Sequence, residues 1–155
     1  MPAGVDTLLP PRKADRLEAG ELWSFVFEKA AGQCWLWVAL CRRTRQVVGW
    51  TFGDRSEESC RFLMESIPPE YARKPVHTDK LPSCAAALLP RQHRPQEFGE
   101  GETNHIERFF LTARQKLGRL VRKTLSFSKS FEMHALFLQL FFTNYNLAIL
   151  HQHSA

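Results

Sequence analysis

The stretch CWLWVALCRRTRQVVGWTFG, Cys34 to Gly53, decides the fold. Cys34 to Cys41 is a nearly continuous apolar run, as expected of a strand covered on both faces. Arg42 to Gln46 is short and polar and reads as a turn. Val47 to Gly53 is again rich in strand-forming residues. Two such runs joined by a short turn form an antiparallel pair. Upstream, Leu17 to Phe27 carries Trp23, Phe25 and Val26, and Ala31-Gly32 marks a turn before Cys34. The three strands therefore form an antiparallel meander.

Working downstream, Asp54 and Ser56 are candidate N-caps, with Glu57 and Glu58 in the first helical turn. Cys60, Phe62, Leu63, Met64 and Ile67 give that helix an apolar side, and Pro68-Pro69 ends it. Lys74 to Asp79 is a short strand ending in an acid. A helix before it lets that strand return parallel to an inner one. Pro82 to Leu89 reads as a short helix, and Pro90 to Glu102 as a polar loop. A long helix follows from Thr103. Ser126 to Ser130 breaks it, and Phe131 to Leu150 forms a final aromatic-rich helix. Phe131, Leu136, Leu140 and Phe141 are expected to lay that helix on one face of the sheet. The fold class is α/β, a mixed sheet flanked by helices. Residues 1–16 read as a loose leader, 17–150 as the domain and 151–155 as a tail.

The chain has 155 residues, enough for one domain with a real core. Its apolar share of 44% and charged share of 24% belong to a soluble globular protein. Cys34, Cys41, Cys60 and Cys84 form no CxxC pair, which argues against a zinc ribbon. Nothing asks for disulfides, so a reducing cytoplasm is the default. The histidines form no HExxH motif. No signal-peptide core is present, and the apolar patch near Ala135 to Phe142 is too short to span a bilayer.

The net charge of +5 is modest, but it is concentrated. TNHIERFFLTARQKLGRLVRKTLSFSKS, Thr103 to Ser130, places Glu107 at the head of a run containing Arg108, Arg114, Lys116, Arg119, Arg122, Lys123 and Lys129. Thr103, Glu107, Leu111 and Arg114 share one helical face. One acid beside a cationic rail suits an enzyme that holds a metal and grips a phosphate backbone. A solvated basic helix with an ordinary surface glutamate fits the same pattern. His105 falls one face away from Glu107 and reads as a surface histidine. Trp23, Trp35, Trp37 and Trp50 read as core.

These pieces together resemble the insertion-sequence-one family of bacterial transposases. The matching segments are ELWSFV (Glu21 to Val26), WLW (Trp35 to Trp37), RRTRQVV (Arg42 to Val48), GDRSEES (Gly53 to Ser59), IPPEY (Ile67 to Tyr71), HTD (His77 to Asp79), TNHIER (Thr103 to Arg108) and LVRKTLSFSKS (Leu120 to Ser130). They occur in order over roughly Leu17 to Tyr145. TNHIER followed by LVRKTLSFSKS is the most specific combination.

The resemblance implies a ribonuclease-H-like core with an Asp-Asp-Glu triad and two magnesium or manganese ions. It implies phosphodiester hydrolysis and strand transfer on DNA. Two metals held by carboxylates activate the attacking oxygen and stabilise the leaving one. The second acid matches Asp79 and the helical acid matches Glu107, which are thus the implied catalytic residues and metal ligands. The first acid does not match: Gly20 stands in its place. Glu18, on the same strand face, is the nearest substitute, and Glu21 points to the opposite face. Leu81 replaces an aromatic usual in the family, and Phe110 and Leu111 depart from a pattern that includes Asn. Arg114, Lys116, Arg119, Arg122 and Lys123 are the implied phosphate contacts. The implied partners are transposon ends, target DNA and further copies of the chain, in the cytoplasm at the nucleoid, with no membrane. Two readings stay open: a transposase impaired at Gly20, or a non-catalytic DNA-binding remnant that joins or inhibits oligomers of an intact relative.

Overall fold

The structure, a computed structural model, describes residues 7–23, 35–79, 92–96, 103–123 and 131–154. Three strands, β1 (Leu17–Trp23), β2 (Trp35–Cys41) and β3 (Val47–Gly53), form the expected meander. Helix α1 (Glu57–Ser66) leads to β4 (Val76–Asp79), which is followed by β5 (His93–Gln96). Two long helices close the order, α2 (Asn104–Lys123) and α3 (Phe131–Ser154). The five strands lie in the order β3-β2-β1-β4-β5. β2 is antiparallel to β1 and β3, whereas β4 runs parallel to β1 and β5 to β4. This mixed sheet with helices is an α/β fold consistent with the ribonuclease-H-like architecture.

Strand alternation sorts the side chains into two cores. On one face, Trp37, Ala39, Cys41 and Val48 pack with Cys60, Leu63 and Ile67 around α1. On the other, Leu36, Val38, Leu40, Val47 and Trp50 meet Ile106, Phe109 and Ala113 of α2 and Leu138 and Phe142 of α3. The uninterrupted apolar run of β2 thus reflects a central strand covered on both sides. The helix α1 is capped by Ser56, which accepts the Ser59 amide. Asp54 in turn accepts from the Ser59 hydroxyl at 2.8 Å. Cys41 and Cys60 are buried free thiols, as small core residues should be.

Several expectations are corrected. β5 lies inside the stretch read as a polar loop, because Pro95 masks a strand signal. An edge strand tolerates a proline, since one side of its ladder has no partner. The final helix does use one face, but the buried positions are Leu138, Phe142 and Asn146. Leu136 and Leu140, named as packing residues, are 64% and 59% exposed. The helix runs to Ser154, so His151 and His153 sit in its last turn rather than in a tail. Residues 7–16 are not a loose leader: Asp15 pairs with Arg43 at 2.6 Å, and Tyr71 donates to the Leu9 carbonyl at 2.6 Å. The helix read at Pro82 to Leu89, the break at Ser126 to Ser130, Cys34 and Cys84 lie outside the described residues, as does the Phe131 side chain.

A buried polar network ties α3 to the edge strand β3. Asn146 accepts the Val47 amide and donates to the Val47 carbonyl, both at 2.8 Å. It therefore fills the backbone positions that a sixth strand would otherwise fill. Gln46 donates to the carbonyls of Thr7 and Asn146, and accepts the Leu9 amide. Every buried polar group in this knot has a partner, as burial requires.

Candidate active site

Parallel pairing sets the geometry of the site. Glu18 lies opposite His77 and Ala19 opposite Thr78, so Gly20 and Asp79 are the next positions along the two strands. Gly20 faces α2. A Cβ added there would stand 3.0 Å from Phe110 Cε2 and 3.6 Å from Ile106 Cγ1. Glu107 lies between those two residues on the same helix. Position 20 thus lies against the first turns of α2, and position 79 follows on the neighbouring strand. The Asp79 side chain lies outside the described residues.

The space above Gly20 is apolar. Phe110 is half-buried and packs with the Leu36–Phe142 core. Its ring stands close to where a side chain at position 20 would begin. Glycine supplies no oxygen, and an aromatic edge supplies none either. Glu107 is exposed and accepts the Thr103 hydroxyl at 3.2 Å. That bond realises the expected shared face of Thr103 and Glu107. Among the described residues, no three His, Cys, Asp or Glu side chains gather as a metal site.

Glu18 is fully buried, and both its oxygens are engaged. Oε1 accepts the backbone amides of His105 at 3.0 Å and Ile106 at 3.2 Å. Oε2 accepts Arg42 Nε at 3.1 Å. The first amides of a helix lack intrahelical partners, and a carboxylate there also meets the positive end of the dipole. In this geometry Glu18 anchors α2 to β1. Sequence reading missed this role, because the partners are 87 and 88 residues away. The one available signal was an acid between two apolar neighbours, Leu17 and Ala19, on a strand, since such a charge must find partners when buried. Glu21, on the opposite face, pairs with Arg55 at 2.8 Å.

Arg114 and Lys116 are exposed on α2, as a phosphate contact requires. The side chains of Arg119, Arg122 and Lys123 lie outside the described residues, although the helix carrying them runs to Lys123. His105 is not a bare surface histidine. It is half-buried, and burial, the largest cause, holds its pKa below the usual range, aided by Arg45, Arg42 and Arg108 and opposed by Glu18. Among the described residues, no helix is long and apolar enough to cross a membrane.

Comparison with known proteins gives the family. No solved structure matches the chain. The InsB protein of insertion element iso-IS1n from Shigella dysenteriae is 38% identical over 117 residues, covering 76% of this chain and 86% of that protein. The InsB protein of insertion element IS1 from Shigella flexneri is 37% identical over the same shares. An InsB protein of Escherichia coli strain K12, from IS1 copy 4, is also 37% identical, with 67% of its length covered. The family model described as IS1 transposase matches residues 16–147, which include the whole sheet, α1, α2 and most of α3. The chain therefore belongs to the IS1 transposase family.

Proposed function

We propose that this chain is an Asp-Asp-Glu type transposase core that engages DNA but is impaired in phosphodiester chemistry, because Gly20 occupies the place of the first acid. The observation that carries the reading is the contact between Gly20 and Phe110, the ring edge lying 3.0 Å from a Cβ built at position 20. Asp79 and Glu107 remain as acids of the proposed site. In an intact site, magnesium or manganese ions would activate the attacking oxygen and stabilise the leaving one. Here two carboxylates would bind such ions weakly, so no step of cleavage is assigned to this chain. Members of a catalytic unit act together, and loss of one costs orders of magnitude in rate. The remaining work of the chain is to hold DNA through Arg114, Lys116, Arg119, Arg122 and Lys123. A chain that binds DNA without cutting it could join assemblies of an intact relative. The Phe110 contact favours that non-catalytic form, because a packed aromatic takes the room a carboxylate would need.

The test uses the purified chain, supercoiled plasmid and magnesium or manganese. Salt-sensitive DNA binding without metal-dependent nicking is expected. Robust nicking that Asp79→Ala abolishes would overturn the impairment.

A further inference from the structure

From Met133 to its end at Ser154, helix α3 carries no Asp, Glu, Lys or Arg, in a chain whose charged share is 24%. A surface helix ordinarily turns charges to water and keeps one apolar stripe for the core. Helix α3 has two such stripes. Leu138 and Phe142 are buried with β2, β3 and α2, and Asn146 binds the edge of β3. The second stripe is Leu136, Leu140, Thr143, Leu147 and Leu150. Leu136 and Leu140 are 64% and 59% exposed, and the other three are half-buried.

The steps along this stripe are four, three, four and three residues. At 100° per residue its five side chains fall within about 80° of one another. Their centre lies about a third of a turn from that of Leu138, Phe142 and Asn146. The sheet therefore takes one stripe and leaves the other to solvent. An alternation of four and three is the spacing by which two helices pair, knobs into holes.

Charge says what fits there. A phosphate backbone needs cations, and the stripe offers no Lys or Arg. A helix that lies on a membrane sets Lys and Arg on its polar face beside the apolar one, and α3 has neither. An unlike helix is chosen by opposite charges at the flanking positions. Here those positions hold Phe137, Gln139, Asn144 and His151. A copy of the same stripe needs no such charges, because twofold pairing sets one patch against itself. Copies of a chain with net charge +5 repel where their basic surfaces meet. An approach through α3 sets no Lys or Arg of the two helices side by side.

We infer that the Leu136 to Leu150 stripe of α3 is the surface on which two copies of this chain meet, helix against helix. This deepens the proposed function by naming the surface through which the chain joins an assembly, and it rests on that reading for that use alone. The stripe runs about 21 Å at 1.5 Å per residue. At a helix width of about 10–12 Å this is roughly 200–250 Å² of face, against about 800 Å² per partner in a standard stable interface. The contact is therefore reversible and set by concentration. Two copies held on one duplex gain in effective concentration, which strengthens it.

The test is sedimentation equilibrium of the full chain without DNA, over a micromolar to millimolar range. Two variants accompany it. Leu136→Lys/Leu140→Lys charges the stripe at exposed positions, where the fold tolerates substitution. Phe62→Lys adds charge at an exposed apolar residue of α1, on the other face of the sheet. The inference predicts a mass that rises with concentration, self-association at least about tenfold weaker in the double variant, and no such loss in Phe62→Lys. A chain that stays monomeric throughout overturns it, whatever the variants do. Self-association that the two lysines leave unchanged overturns it as well. A monomeric chain that binds neutral phosphatidylcholine vesicles, with binding lost in the double variant, gives the stripe to a lipid surface and overturns the second copy. A duplex titration separates the two claims. Duplex binding by a monomeric chain overturns the surface and leaves the DNA-engaging function standing. Self-association without duplex binding keeps the surface and overturns that function.

Discussion

Glu18 accepts the backbone amide of Ile106 at 3.2 Å, across 88 residues of chain. The same oxygen takes the His105 amide, and the other takes Arg42. One buried carboxylate therefore fixes the start of α2, and with it the height of Glu107 over the sheet. Breaking a buried ion pair by removing one partner costs about 3–5 kcal/mol. Glu18→Ala should lower the melting temperature by roughly 10 °C, at about 2–4 °C per kcal/mol for a chain of this size. Glu18→Gln keeps an oxygen for the two amides and should lose less. Added manganese should not change either difference. A Glu18→Ala protein of unchanged stability that loses metal binding would return Glu18 to the catalytic site.

Asn146 stands in for a neighbouring strand at β3. Asn146→Leu leaves the Val47 amide and carbonyl buried without partners. Each unsatisfied group costs about 1–3 kcal/mol, so a loss of roughly 2–6 kcal/mol in urea unfolding is expected. A change under about 0.5 kcal/mol, the size of an ordinary surface substitution, would remove the network from the account.

Asp15 gives the fold an acid-sensitive tie. The Arg43 guanidinium, the largest cause, holds its carboxyl below the usual range, with help from the Arg12 amide and against desolvation. A folded-state pKa below the unfolded one contributes stability above the unfolded value, about 3.9. That contribution fades as pH falls below it and through the lowered folded value. The stability gap between the original chain and Asp15→Asn should therefore be full at pH 7 and shrink below about pH 4. A gap independent of pH would contradict the ion pair.

The basic rail beyond Glu107 has its own signature. Replacing Arg119, Arg122 and Lys123 together by Ala should flatten the salt dependence of DNA binding, by about 0.9 in slope for each phosphate no longer neutralised. Sequence preference should change little, because phosphate contacts position rather than specify. An unchanged slope would take these residues off the DNA surface.

The sheet was legible because β1, β2 and β3 carry strong local signals and short connections. The continuous run Trp35 to Cys41 announced a strand with two covered faces. β5 was not legible, since four residues that include Pro95 read as a loop until β4 lies beside them. On α3, apolar residues surround the helix almost evenly, so Leu136 and Leu138 are equivalent until the sheet selects one. At the proposed site, Gly20 and Glu107 were singled out through neighbouring motifs. The role of Glu18 was not, because it depends on partners distant in sequence.

Phe110 changes what repair of the site requires. A side chain at position 20 begins 3.0 Å from its Cε2 atom, so the ring must yield before a carboxylate fits. Gly20→Asp alone should recover little cleavage, and Gly20→Asp with Phe110→Ala should recover more. The most direct measurement is the rate of metal-dependent nicking of supercoiled DNA by the original chain, the two single variants and the double variant. The account predicts background rates for the original chain and Phe110→Ala, a small gain for Gly20→Asp, and a gain of at least tenfold for the double variant that Asp79→Ala removes. Nicking by the original chain that matches the double variant and is abolished by Asp79→Ala would contradict the claim that Gly20 disables this site.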